Sequence, residues 1–175
     1  MTLQELGLKY GTDKATWHGY CPFYEERLPR SINRLLEIGV KDCASLCMWA
    51  DYYPMAEIVG IDIAPVLPVP GCTVYQMDAA NASSLATLGQ FDVIIDDGSH
   101  RTSDQLASFN QLFYHQLKPG GWYIMEDAHT SFMPAYVDTQ EPTFHALHRQ
   151  FPGQVLEWCR VKDRSDSLTL MLRKP

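Results

Sequence analysis

No stretch of the chain approaches the roughly 20 consecutive apolar residues that span a bilayer, so the sequence predicts a soluble protein with no membrane partner. Basic runs are also missing. With 14 Lys and Arg against 21 Asp and Glu the net charge is −7, which leaves a nucleic-acid partner without electrostatic support. Cysteine is sparse and unpaired in pattern: Cys21, Cys43, Cys47, Cys72 and Cys159 are odd in number and contain no C-x-x-C. That spacing argues against a disulfide framework or a zinc site and for reduced thiols in a cytoplasmic protein. The dinucleotide fingerprint G-x-G-x-x-G is absent too, because Gly39 is followed by Val-Lys-Asp-Cys-Ala44. Without that phosphate cradle a dehydrogenase is a weak reading. Nor does a signal sequence open the chain; Thr2-Leu-Gln-Glu5 reads as a helix capping box.

What is present is an alternation of apolar runs and amphipathic stretches. A charged content of 20% and 175 residues suit one domain with a sizeable core. After the first helix and the Tyr10-Gly-Thr-Asp-Lys14 loop, Pro22 is placed to open a helix running to about Asn33. Strands are expected at Leu35 to Ile38, Glu57 to Ile61, Thr73 to Tyr75, Asp92 to Ile95 and Trp122 to Met125. Helices are expected over Ala44 to Tyr53, stopped by Pro54, and from a cap at Thr102-Ser-Asp-Gln105. The latter helix carries a core stripe of Leu106, Phe109, Leu112, Phe113 and Leu117 and ends at the turn Lys118-Pro-Gly-Gly121. Residues 128–139 lack a period and read as a loop or lid, and Phe144, Leu147 and Phe151 suggest a last helix. Val155 to Val161 and Leu168 to Leu172 read as an antiparallel hairpin. The fold class is therefore α/β: one domain with a mostly parallel sheet, helices on both faces and a C-terminal antiparallel hairpin.

Chemistry concentrates where strands end. In Phe91-Asp-Val-Ile-Ile-Asp-Asp-Gly-Ser-His100 a β-branched run stops at Asp96, Asp97 and His100, and ligands of open α/β sheets bind at the carboxyl ends of strands. A helix cap would account for one or two of these residues, but the clustering of ionisable groups points to an active site. Gly39 after the first strand permits a tight turn and close approach of a ligand. Asp62 ends the second strand, where such folds bind ribose hydroxyls, and Asp78 follows the third. Together they favour an adenosine ligand without phosphate. His115, His145 and His148 have no such setting and read as structural.

Glu37-x-Gly39, Asp62, Asp78 and the Lys118-Pro-Gly-Gly121 turn resemble the class I S-adenosylmethionine-dependent methyltransferases. A narrower resemblance is to the macrolide-sugar O-methyltransferases of the mycinamicin type and their cephalosporin hydroxylase-like relatives. It rests on Tyr10-Gly-Thr-Asp-Lys14 with His18 and Tyr20, Leu36-Glu-Ile-Gly39, Ile95-Asp-Asp-Gly-Ser-His100 and Glu126-Asp127, and runs from about residue 8 to 130. The resemblance implies a Rossmann-like domain over 34–175 with residues 1–33 as a helical cap segment on the cofactor site. It implies S-adenosyl-L-methionine bound by Tyr10, Thr12, Lys14, His18, Glu37, Gly39, Asp62, Ile63, Asp78 and Asp96. Lys14 would neutralise the cofactor carboxylate, Asp62 would hold the ribose and Asp78 would lie near adenine.

Carried over by position, Asp97, Glu126 and Asp127 would bind magnesium, and His100, with Asp97, would carry catalysis as general base. Adjacent fourth and fifth strands, roughly 5 Å apart, would let those carboxylates converge, and three of them suit a hard cation such as Mg²⁺. The expected enzyme is an O-methyltransferase acting on a hydroxyl of a sugar or similar small polyol, with self-association left open. Cys43 and Asn81 depart from the family pattern, standing where glycine and aspartate are usual, and the large N-terminal domain of the macrolide enzymes is missing. These departures keep a second reading in view, a non-catalytic binding or assembly module of the same fold.

Overall fold

The computed structural model describes residues 1–175. Three short helices, α1 (Leu3–Tyr10), α2 (Asp13–Thr16) and α3 (Cys21–Arg27), precede the first strand. The capping box is formed: Glu5 N–H donates to the Thr2 hydroxyl at 3.1 Å and Thr2 N–H to the Glu5 carboxylate at 2.9 Å. α3 stops at Arg27, short of the expected Asn33, because Leu28 must turn extended ahead of Pro29.

Strands β1 (Arg34–Ile38), β2 (Glu57–Asp62), β3 (Cys72–Gln76), β4 (Phe91–Asp96) and β5 (Leu117–Met125) are all parallel where they pair. Helices α4 (Ala44–Tyr52), α5 (Ala82–Leu85) and α6 (Thr102–Gln111) connect them. After α7 (Thr143–Gln150), strands β6 (Leu156–Cys159) and β7 (Leu168–Arg173) complete a seven-stranded sheet in the order β3-β2-β1-β4-β5-β7-β6. β7 runs antiparallel to both β5 and β6, so the expected hairpin is real, with β6 shorter than the apolar run suggested. The strand order reverses between β1 and β4, which opens a crevice at their carboxyl ends.

Each face of the sheet has its own apolar layer. One holds Leu3, Leu6, Tyr24, Trp49, Leu35, Val93 and Ile124, so the N-terminal helices pack directly on the strands. The other holds Ile94, Phe109, Phe113, Tyr123 and Leu147. β4 is buried on both sides at Val93, Ile94 and Ile95, as its β-branched composition anticipated.

Three local expectations are corrected. Thr102 does not cap α6: the cap position is Arg101, and the N–H of Ser103 is instead satisfied by Asp138 at 2.9 Å, an acceptor from a distant loop. The core stripe Phe109, Leu112, Phe113 and Leu117 is buried and Leu106 half-buried, but α6 ends at Gln111, before the last three of these, and Leu117 already belongs to β5. Lys118-Pro-Gly-Gly121 is a bulge inside β5 rather than a turn before it. Pairing passes from Phe91 with Leu117 to Val93 with Trp122, and Lys118 is tied to Asp92 at 2.8 Å. The aperiodic segment after β5 begins as a 3-10 helix, Ala128–Phe132. No helix is long and apolar enough to cross a membrane.

Candidate active site

A cavity of about 600 Å³ lies at the carboxyl ends of β1, β2 and β4. Of the residues singled out from sequence, Gly39, Asp62, Ile63, Asp78, Asp96, Asp97, His100 and Asp127 line it; Tyr10, Thr12, Lys14, His18, Glu37 and Glu126 do not. Its floor is set by Gly39, whose φ of +78° turns the chain and whose missing side chain lets the Asp97–Gly98 backbone pack against it. The Asp97 N–H donates to the Ile38 carbonyl at 3.0 Å, locking the ends of β1 and β4 together.

Asp62 is already engaged. One carboxylate oxygen accepts the Val40 and Lys41 N–H groups at 3.0 and 3.1 Å, and the other accepts Ala64 N–H at 2.9 Å. It thus holds the loop after β1 while facing the cavity. Asp78 accepts the Ala80 N–H at 2.9 Å. The two family departures are absorbed locally. Cys43 keeps a left-handed backbone, φ +64°, that would suit glycine, and its side chain is buried in the core. Asn81 caps α5 through Ser83 and Ser84 N–H groups and stays off the cavity.

Neighbouring carboxylates take opposite fates. Asp96 turns into the protein, where Ser108 and Tyr123 hydroxyls donate to it at 2.6 and 2.7 Å; burial raises its pKa. Asp97 faces the cavity. Glu126, expected as a metal ligand, is buried and accepts from Lys14 at 2.7 Å and from Tyr24 at 2.9 Å. Burial pushes its pKa well up, and the shared Lys14 charge only partly offsets this. Asp127 points back to the cavity from a left-handed backbone, φ +50°, and accepts from the Tyr20 hydroxyl at 2.8 Å.

Three imidazoles gather at Asp127: His18 at 3.7 Å, His100 at 3.8 Å and His129 at 3.9 Å. His18 also contacts the Ser167 hydroxyl at 2.9 Å and stacks on Tyr20. His129, from the 3-10 helix after β5, is held below its usual pKa by burial. Donor atoms of Asp97, His100 and Asp127 all lie within 4.8 Å of one another. Two carboxylates beside open space fit a hard divalent cation.

The remaining site residues sit elsewhere. The Tyr10 hydroxyl donates to Asp51 at 2.6 Å on the exterior. Lys14 is 1% exposed and lies among Glu37, Asp97 and Glu126, so it turns to protein carboxylates rather than to a cofactor carboxylate in the main cavity. Thr12 is buried and lines a smaller cleft beside Lys41 and Ser45. Tyr24, Ser108 and Tyr123, which orient the acidic groups, were missed. Only Tyr24 carried a signal, one helical turn beyond Tyr20. His115, His145 and His148 stay off the cavity.

A parallel sheet ending in an antiparallel strand inserted beside β5, with an acidic crevice at the β1–β4 switch, is the architecture of a class I methyltransferase. No family model matches the chain. It is 36% identical to 8-demethyl-8-alpha-L-rhamnosyl tetracenomycin-C 2'-O-methyltransferase of Streptomyces olivaceus, over 77% of this chain and 39% of that one. It is 34% identical to mycinamicin VI 2''-O-methyltransferase of Micromonospora griseorubida, over 80% of this chain and 39% of the relative. The solved MycE methyltransferase of the mycinamycin biosynthetic pathway, in complex with Mg, SAH and mycinamycin VI, superposes with a TM-score of 0.80. That match has 25% identity and covers 99% of this chain and 53% of MycE. The chain is therefore a homologue of O-methyltransferases that act on sugars of natural products and has the fold of the class I S-adenosylmethionine-dependent methyltransferases. Its matched region spans about two fifths of the length of those curated relatives.

Proposed function

We propose that this chain is a magnesium-assisted, S-adenosylmethionine-dependent O-methyltransferase whose acceptor is a hydroxyl of a sugar or similar small polyol. The observation that carries the reading is the meeting of Asp97, His100 and Asp127 at a cavity floored by Gly39 and edged by Asp62. The cavity volume is in the range of small-molecule sites. Gly39 turns the chain so that the ends of β1 and β4 close together under the cavity, and Asp62 and Asp78 offer acceptors for ribose and adenine donors. S-adenosylmethionine supplies an activated methyl group, so the protein has chiefly to align the acceptor oxygen with it, and alignment is worth on the order of 7–11 kcal/mol.

His100 is placed to take the acceptor proton on Nε2, which lies 3.8 Å from Asp127. The Asp127 charge then stabilises the imidazolium, and a well-placed base of this kind contributes about 10²–10⁴-fold. Asp97 and Asp127 would hold magnesium, which when bound would hold the acceptor oxygen and lower its pKa. Residues 1–33 act as a cap segment: Tyr20 and Tyr24 fix Asp127 and Glu126 from above the strand ends. Five free cysteines are in keeping with a cytoplasmic setting.

Calorimetric titration should show S-adenosylhomocysteine binding and NAD binding weakly at most. After a screen of sugar and phenolic hydroxyls with Mg²⁺, His100→Ala should keep the cofactor affinity and lose turnover by roughly 10²-fold or more. Tighter binding of NAD would sink the methyltransferase reading. Methylation that survives both EDTA and His100→Ala would sink the role assignment, and cofactor binding with every acceptor left unmethylated would favour the binding module.

A further inference from the structure

The aperiodic segment after β5, for which the sequence predicts a loop or lid, is strapped to the residues around the start of α6. The Thr130 hydroxyl donates to the His100 carbonyl at 3.2 Å. The Tyr136 carbonyl accepts the Thr102 N–H at 3.0 Å and the Thr102 hydroxyl at 3.4 Å. Asp138 accepts the Ser103 N–H at 2.9 Å and the Ser103 hydroxyl at 2.8 Å. Contacts before, at and after Tyr136 thus fix the segment as a wall beside His100. The wall carries an aromatic ring that these bonds do not use. Tyr136 keeps 36% exposure. Its ring lies 6.3 Å from the His100 imidazole, centroid to centroid, with the two planes at 62°.

We propose that Tyr136 is a specificity-determining residue: the sugar ring of the acceptor lies by its C–H face on this phenol while one of its hydroxyls reaches His100. The inference rests on the methyl-transfer reading above and adds the residue that selects the acceptor. Proton transfer needs the acceptor oxygen roughly 2.6–3.2 Å from the imidazole nitrogen, and carbons in contact sit roughly 3.5–4.0 Å apart. A ring whose hydroxyl meets His100 therefore falls within contact of a phenol 6.3 Å from the imidazole. The chemistry matches a sugar. Tyrosine offers an apolar face with a polar tip, and a pyranose offers C–H groups on its faces with hydroxyls around its rim. Asp13, Asp97, Asp104 and Asp127 line the adjoining cavity; they can accept from those hydroxyls and would repel an anionic acceptor. Because the backbone of the wall is already fixed, the ring binds with little further loss of freedom.

The probes are methyl α-L-rhamnopyranoside, methyl α-L-fucopyranoside and methyl β-D-glucopyranoside. Each is titrated into the full chain with S-adenosylhomocysteine and Mg²⁺ and followed by saturation-transfer difference NMR. At least one should bind, with saturation strongest on the C–H protons of one ring face. Tyr136→Phe should bind it as the native chain does, because the ring and not the hydroxyl makes the contact. Tyr136→Ala should bind it about three- to tenfold more weakly, the worth of one aromatic contact, and lose the facial bias. S-adenosylhomocysteine affinity and the urea midpoint should hold in both variants. A merely structural role would lower those two together and leave the facial bias in place.

A Tyr136→Ala chain that binds the glycoside as tightly as native and with the same facial bias overturns the proposal. So does a Tyr136→Phe chain as weak as Tyr136→Ala. If Tyr136→Ala folds poorly, Tyr136→Leu, which is apolar but has no ring face, carries the same comparison. A native chain that binds S-adenosylhomocysteine but none of the three glycosides sinks this inference alone. One that binds no S-adenosylhomocysteine sinks the methyltransferase reading and this inference with it.

Discussion

Substituting Gly39 by alanine should damage both the stability of the sheet and the site built on it. The backbone there is left-handed at φ +78°, which costs an L-residue with a side chain about 1–2 kcal/mol. A Cβ would also overlap the Asp97 carbonyl oxygen and fall 2.7 Å from its carbonyl carbon and 2.8 Å from the Gly98 Cα. These are backbone atoms pinned by the Asp97 to Ile38 hydrogen bond, so β1 and β4 must part, an overpacking cost of typically about 1–3 kcal/mol. The sum is about 2–5 kcal/mol.

Gly153→Ala is the control, because Gly153 has φ +71° but nothing within 4 Å of the added Cβ. It should show only the conformational part. Equilibrium urea unfolding of both variants isolates the close approach as their difference. Because the displaced backbone carries Asp97, S-adenosylhomocysteine affinity should fall at least about tenfold in Gly39→Ala, as expected when site groups shift by a fraction of an ångström. A Gly39→Ala chain as stable as Gly153→Ala, with native cofactor affinity, would refute the reasoning.

Tyr123→Phe removes a hydroxyl that donates to buried Asp96 at 2.7 Å and leaves Ser108 as the remaining side-chain donor; urea unfolding should show a loss of about 1–3 kcal/mol. Asp92 supplies a pH-dependent counterpart away from the cavity. Its carboxylate accepts the Asn33 and Arg34 N–H groups and Lys118, each at 2.8 Å. Burial alone would raise its pKa, but Lys118 and the two amides outweigh it and hold the group below its ordinary 3.8. A depressed carboxylate stabilises the fold above that value and loses its contribution as pH falls through the folded pKa. Asp92→Asn should therefore cost about 1–3 kcal/mol at neutral pH, and its deficit in urea midpoint should close as pH is lowered below 3.8.

What the sequence determined by itself is what short-range chemistry controls. The β-branched run Val93-Ile94-Ile95 specified a strand buried on both faces, and Gly39 specified the tight turn that follows β1. Thr2 and Glu5 specified a capping box three residues wide, and the run from Asp96 to His100 placed acid and base groups at a strand end. Those signals lie within one strand or one turn, so spacing along the chain is enough to read them.

Which carboxylate faces which partner was not legible, because adjacent residues at a strand end point to opposite sides. Asp96 meets Ser108 and Tyr123 while Asp97 meets the cavity; Glu126 meets Tyr24 while Asp127 meets Tyr20. The decisive contact joins Lys14 to residues 83 and 112 positions away. Only the packing of the N-terminal helices onto the sheet brings an ammonium to that point, and burial then makes its choice of carboxylates binding, since a charge removed from water must be paired where it stands.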